Sequence, residues 1–394
     1  MRTESDSSQK KDTTEKADRR AFLKKAGMAG ATAVAASSVF KPSSVLANKT
    51  IHWQMATTWP AGQSLLHEAV ARFAERVNSM TEGRLKITVL PPDSQKLALK
   101  DVFAAVSTGR MELASSVAFY QTESIPASQW FASVPYGMNA QGMNSWLYSG
   151  GGLKLWEEVY APYRVIPRPF GNTGVEMGGW FKKKLNHVED FKGLRMRMPG
   201  LGGKVIEKAG AIPVSLMGEE IYQAFKAGQI DAAEWIGPLH DMEMGLHRAA
   251  KYYYYPGWHE PGACIELLIN ADAYRALPES IQQMVDAAAA ETNLWTLCEF
   301  ETRNFTALAT LVKEHGVSVQ RFPDSVLKSF REISETVLED ASRKDSLSRK
   351  VHEAYHAFAV GKRNWDEISE RPYYDYIDSK PKDLRRWLLP DNPY

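Results

Sequence analysis

Two stretches of the chain, VFAAVSTGRMELASS (102–116) and IYQAFKAGQIDAAEW (221–235), are built alike: the end of an amphipathic helix, a glycine, an acidic residue and an apolar strand. The aligned glycines are Gly109 and Gly228, and the aligned acids Glu112 and Asp231. Taken alone, this is also the ordinary grammar of α/β units. What precedes each copy carries it further. Before the first, Ile51 to Ala56 reads as a strand, and Leu66, Val70, Phe73, Val77 and Met80 step by four and three along one helix face that Gly83 closes. Leu85, Ile87 and Val89 then alternate as a second strand, and a helix through Leu99, Val102, Phe103 and Val106 ends near Gly109. Before the second copy, Leu194, Met196 and Met198 alternate with Arg195 and Arg197 as a half-buried strand, and the Gly/Pro cluster after it opens another amphipathic helix. Strand, helix, strand, helix twice over predicts an α/β chain of two similarly built lobes. Ligands in such sheets sit outside the carboxyl ends of strands, which would set Ser115 and Ser116 opposite Glu234 and Trp235 across a cleft.

Three stretches near the second copy, GLRMRMPG (193–200), DAAEWIG (231–237) and PGWHEPG (256–262), place charged side chains among apolar neighbours. Arg197 falls where a strand ends and a helix begins. Glu234 falls inside an apolar strand predicted over Ile230 to Ile236, where a carboxylate needs a cation or a donor. Upstream, Val165 to Phe181 reads as an extended crossing segment. It contains GNTGVEMGGW (171–180), with four glycines and Glu176 as its sole ionisable residue. The aromatic and turn-rich segment 116–139 has the composition of a loop lining a cleft. Together these point to a binding site for a small carboxylate.

Charge excludes other partners. The chain has 394 residues with 48 Lys plus Arg against 47 Asp plus Glu, no basis for binding nucleic acid or an anionic membrane. The first 47 residues hold Arg19-Arg20-Ala21-Phe22-Leu23-Lys24-Lys25, a weakly apolar Ala/Gly stretch and Val45-Leu46-Ala47. This resembles a twin-arginine signal peptide, with Asp18 in place of the usual Ser or Thr, and predicts export to the periplasm with 1–47 removed. No other run is apolar enough to span a bilayer. Cys264 and Cys298 could pair in an oxidising compartment, but both neighbourhoods are apolar and two separately buried thiols are the preferred reading.

From Pro278 to Gly316 neither proline nor glycine interrupts a helical pattern, either one helix of more than about 50 Å or two with a kink between them. A short strand (317–322) and further helical segments follow. The tail, rich in Trp, Tyr and Pro, shows no clear pattern.

The predicted export, the two lobes and the stretches GNTGVEMGGWF, GLRMRMPG, GQIDAAEWIGP and YYYYPGWHEPG together resemble a solute-binding protein of the tripartite ATP-independent periplasmic (TRAP) transporters, in the branch that binds 2-oxoacids and lactate. The resemblance covers the whole chain after the leader. It implies a type II-like periplasmic-binding fold with a long helix crossing both lobes, which matches 278–316. The implied lobes are 48–172 plus about 262–300, and 173–261 plus about 301–350, with 351–394 a C-terminal helix and tail that could pair with a second copy or pack on its own lobe. It also implies lobes that close on an organic acid, delivery to a membrane permease, and no organic cofactor.

Carried onto this sequence, the family's carboxylate-binding arginine is Arg197, whose planar fork suits a carboxylate. The implied metal ligands are Glu176, Glu234, Trp235 and Glu260. Sodium-dependent ketoacid members have Gln where Glu176 stands, so the added carboxylate makes calcium at least as apt as sodium. The alternative is that Glu176 or Glu260 is protonated or paired with a lysine and no metal is held. Tyr120 and Trp235 are candidate walls, Asn172 and Thr173 candidate polar contacts, and plain packing is the competing role for the aromatics. A dicarboxylate or sialic acid is the alternative ligand, disfavoured by three acids. One stretch suggests an enzyme instead: His352-Glu353-Ala354-Tyr355-His356 is a literal H-E-x-x-H, the zinc motif of a secreted protease. It lacks the downstream metzincin extension, and the apolar stripe of Leu347, Val351, Tyr355 and Phe358 leaves both histidines on the helix flank, so a non-enzymatic binding protein is the preferred reading.

Overall fold

The computed structural model describes residues 50–59, 64–90, 101–216, 218 and 220–377. The predicted leader, Leu99 and the last residues of the tail lie outside them. The first lobe opens with β1 (Ile51–Thr57), α1 (Ser64–Met80), β2 (Leu85–Val89), α2 (Val102–Ser107) and β3 (Leu113–Val117). Next come α3 (Ala140–Tyr148), α4 (Gly152–Tyr160), β4 (Val165–Asn172) and β5 (Gly179–Phe181). The second lobe continues through β6 (Arg195–Arg197), α5 (Gly200–Lys208), β7 (Ile212–Val214), α6 (Glu220–Lys226), β8 (Ala232–Ala233), α7 (Pro238–Glu243) and β9 (Tyr252–Tyr255). After these come β10 (Cys264–Asn270), α8 (Ala271–Arg275), α9 (Glu279–Lys313), β11 (Ser318–Arg321), α10 (Asp324–Ser342), α11 (Ser346–Asp366) and α12 (Glu370–Ile377).

The strands form two sheets, ordered β2-β1-β3-β10-β4 and β11-β9-β5-β8-β6-β7. Each contains the same βαβαβ unit with its first strand in the middle, β2-β1-β3 and β7-β6-β8, all parallel. Each unit is flanked by an antiparallel strand, β10 beside β3 and β5 beside β8. The sequence echo has a physical cause at this level. Gly109 and Gly228 end their helices at φ of +74° and +70°, a region that favours glycine. The acid that follows each ties the third strand to the first: Glu112 accepts from the Gln54 amide at 2.8 Å, and Asp231 from the Arg195 amide at 3.2 Å and its guanidinium at 2.9 and 2.8 Å.

The uninterrupted pattern after Pro278 is one continuous helix, α9, of 35 residues and about 52 Å. It packs against α1 and β4 of the first lobe and against α7 of the second. Helix α10 packs on α5 of the second lobe, and α11 returns to α3 and α4 of the first. Both cysteines are free thiols, but only Cys264 is buried; Cys298 lies on an exposed face of α9, where apolar neighbours such as Leu294 and Phe305 also face solvent. Among the described residues no helix is long and apolar enough to cross a membrane.

Candidate functional site

The chain passes from β4 to β5 through residues 173–178 and returns from β9 to β10 through 256–263, and these two connections run side by side. Thr173 N donates to the Ala263 carbonyl at 3.0 Å, Glu176 N to the Glu260 carbonyl at 3.1 Å, and Gly178 N to the Tyr254 carbonyl at 2.7 Å. Gly257 permits the approach, since a β-carbon there would lie 2.1 Å from the Glu176 carbonyl oxygen. The pairing brings the carboxyls of Glu176 and Glu260 together.

The second lobe supplies the rest. Strand β8 covers only Ala232 and Ala233, shorter than the predicted Ile230 to Ile236, so Glu234 and Trp235 lie beyond its end rather than inside it. The chain bends there because Asp241 in α7 accepts from the Ile236 amide at 3.2 Å, while its other oxygen takes Trp180 Nε1 at 2.8 Å and the Tyr253 hydroxyl at 2.7 Å. One strand over, Arg197 ends β6 and is 3% exposed. Its Nη1 donates to the Glu234 carbonyl at 2.9 Å and to Glu234 Oε1, and its Nε to the Leu216 carbonyl at 3.2 Å. The guanidinium lies over the Trp235 ring, 4.8 Å from its centre.

Glu176, Glu234, His259 and Glu260 each offer a ligand atom, and these atoms lie within 4.8 Å of one another. All four residues are buried, and Glu176 Oε2 has no hydrogen-bond partner among the described residues. Burial first, then the charges of Glu260 and Glu234, hold the Glu176 carboxyl well above its ordinary range. Burial and then Glu234 raise Glu260 to about 7. Like charges gathered out of water at this spacing are costly. A buried, unpartnered carboxylate oxygen among hard oxygen donors fits a cation, which turns that cost into coordination. Among the described residues this is the one such cluster. The rings of His352 and His356 stand 6.1 Å apart, centre to centre, on α11, and among the described residues no third side chain joins them in a cluster that could hold a metal ion.

A cavity of about 40 Å³ lies against the cluster, lined by Glu176, Arg197, Glu234, Trp235 and Glu260 and by Tyr120, Thr173 and a set of apolar side chains. Burial pushes the Tyr120 hydroxyl up to about 12 against the opposing pull of Arg197. Two expectations are corrected. Asn172 does not line the cavity: its amide donates to the Gly262 carbonyl at 3.2 Å and accepts from the Gly174 amide at 3.0 Å, bracing the two connections instead. Ser115 and Ser116 stay within β3, where Ser115 Oγ accepts from Trp59 Nε1 at 2.9 Å, and the cavity begins only at Val117.

Sequence reasoning missed His259, whose Nε2 stands 3.1 Å from Glu234 Oε2, and the apolar wall of Trp59, Phe119, Ile236 and Ile265. His259 had a signal, an imidazole beside Glu260 between Gly/Pro turns. The wall had none, because its members come from distant segments.

Residues 55–345 match the bacterial extracellular solute-binding protein family 7, and the chain belongs to that family of transport components, whose members work outside the cytoplasm. A monocarboxylate 2-oxoacid-binding periplasmic protein of Nostoc sp. is 38% identical over 92% of this chain and 99% of its own. Among solved structures, a TRAP periplasmic solute-binding protein of Colwellia psychrerythraea with bound calcium and pyruvate is 34% identical, with a TM-score of 0.80 over 83% of this chain and 100% of that one. Another from Pseudoalteromonas atlantica, with sodium and pyruvate, is 33% identical, with a TM-score of 0.80 over 83% and 99%. These likenesses carry the two-lobed fold with its long helix.

Proposed function

We propose that the protein captures a small 2-oxo or 2-hydroxy monocarboxylate together with a cation, calcium in preference to sodium, and delivers it to the membrane permease of a TRAP transporter. The observation that carries this is a cavity of very small volume lined by a buried arginine, paired with one carboxyl, and by two further clustered carboxyls, one oxygen of which has no partner among the described residues. So small a cavity, about 40 Å³, suits pyruvate or lactate and not a sialic acid.

In this reading Glu176, Glu234, Glu260 and the Trp235 carbonyl hold the ion, whose charge offsets the carboxylates and polarises the acid's oxygens. Glu234 fixes Nη1 of Arg197. No described residue accepts from Nη2, so that nitrogen is left for the incoming carboxylate. The rings of Trp235 and Tyr120 confine the small organic part and keep water out, while Asn172 holds the two connections in register. Export by the twin-arginine leader fits a periplasmic station. Relatives by sequence and fold that bind solutes, and the want of a third ligand for the H-E-x-x-H pair among the described residues, favour a carrier over a protease. Trp365, Ile368, Tyr373 and Tyr376, all more than half exposed on α11, α12 and the turn between them, offer apolar surface suited to a second copy of the chain.

The test is calorimetric titration of the mature protein with pyruvate and with lactate, in sodium-free buffer with calcium or with chelator. Binding that needs calcium is expected. Zinc at one equivalent per chain, lost in His352→Ala together with peptide hydrolysis, would overturn the reading.

A further inference from the structure

Four residues, Phe119, Tyr120, Arg197 and Pro199, each line two cavities at once. On one side is the cavity of about 40 Å³ against the acidic cluster. On the other is a chamber of about 450 Å³, open to solvent, whose wall carries Thr122 and Lys204 and the exposed Glu123, Glu207 and Ser215. The four are a partition. Arg197 and Tyr120 already serve the acid's carboxylate and its wall, and Pro199 caps the start of α5. Phe119 is left, a half-buried ring in the turn that follows β3. It meets the Tyr120 ring edge-on at 4.9 Å. On its other side is Gly200, where a β-carbon would sit 3.7 Å from Phe119 Cβ and Cγ, ordinary van der Waals contact. The first lobe supplies the ring, and the first turn of α5 in the second lobe supplies the surface it closes against.

We propose that Phe119 sets the chain length of the acid by walling the small cavity off from the chamber. This rests on the reading of that cavity as a 2-oxoacid site and deepens it. With the ring in place, a tail longer than that of pyruvate by more than a carbon or so meets the partition. With the ring removed, the tail passes between Tyr120 and Pro199 into the chamber. The chamber wall offers two hydroxyls, two carboxylates and one ammonium, so a tail ending in a second carboxylate gains least there. A pocket discriminates one methylene by roughly 10- to 200-fold, which is the scale of effect expected.

The experiment titrates mature wild type, Phe119→Ala and Phe119→Leu in calcium buffer with pyruvate, 2-oxobutanoate, 2-oxopentanoate, 2-oxohexanoate and 2-oxoglutarate. Wild type should lose affinity steeply along the linear series. Phe119→Ala should raise the ratio of 2-oxohexanoate to pyruvate affinity at least tenfold, raise that of 2-oxoglutarate far less, and weaken pyruvate by under tenfold. Phe119→Leu, with a smaller apolar side chain, should gain part of the same shift and stands in if the alanine variant does not fold. A folded variant that binds pyruvate with wild-type ratios across the series overturns the proposal while leaving the site reading intact. Failure of wild type to bind any 2-oxoacid overturns both.

Discussion

Replacing Glu176 with glutamine keeps the shape of the side chain and removes one negative charge from the acidic cluster. A calcium or sodium ion held by that carboxyl would sit with its centre about 3 Å from the charge, and at an effective dielectric of about 20 this is worth roughly 5 kcal/mol per unit of ion charge. Calcium, with twice the charge of sodium, therefore loses about 5 kcal/mol more than sodium does, before hydration repays part of it. Even a quarter of that difference is about tenfold in relative affinity. The apo protein should respond in the opposite direction, because Glu176 Oε2 is buried without a partner and its carboxyl is crowded by Glu234 and Glu260. Glu176→Gln should thus melt higher than wild type in chelator and lower than wild type in saturating calcium. Calorimetry with pyruvate in calcium against sodium should show the ion preference moving at least tenfold toward sodium. A side chain with a purely structural role would lower both melting temperatures and leave the preference alone. An unchanged calcium-to-sodium ratio would refute the assignment of Glu176 as a ligand.

Arg197→Lys keeps the charge but loses the planar fork that also bonds Glu234 and Leu216, and pyruvate affinity should fall by about 30-fold or more, close to 2 kcal/mol; unchanged affinity by titration would remove Arg197 from the carboxylate's contacts. Glu266, fully buried in β10, accepts from the Tyr160 hydroxyl at 3.0 Å and is raised by burial to about 8. Its folded pKa lies above its unfolded one, so the stability it contributes is present below about pH 4.5 and is lost as pH rises through about 8. Glu266→Gln should flatten that profile and gain up to roughly 5 kcal/mol over wild type above pH 8, and parallel denaturation curves from pH 5 to 9 would contradict it. Deleting residues 365–394 should leave a monomer where the longer chain forms a dimer, as read by light scattering on a sizing column; the same number of subunits for the two would exclude the α12 face as the contact.

Much of this architecture is legible from local chemistry. Gly109 and Gly228 stand out because a helix that ends in the left-handed region needs them, and Glu112 and Asp231 because a strand's first residues must be tied to a neighbour. Arg197 is placed by the Gly/Pro run that stops its strand. The α9 helix is visible because nothing over 35 residues breaks it. What stayed hidden depends on distance in sequence. That Glu176 meets Glu260 follows from two connections bonding backbone to backbone across more than 80 residues, which no periodicity reports; only the family resemblance puts the two together. Asn172 looked like a ligand because a polar residue beside glycines suits both binding and bracing, and only its partners separate the two. Cys298 misled because α9 serves two lobes with different faces, so an apolar neighbourhood in sequence is no guide to burial.

The two connections that hold Glu176 and Glu260 are also the paths by which the chain leaves one sheet and returns from the other. Any bending of the lobes about these connections is therefore bending of the cluster itself. A cation seated between them would stiffen the joint, and its departure would slacken it. Cargo and posture could not then be tuned separately: a substitution chosen to change the ion would also change how far, and how readily, the molecule could open.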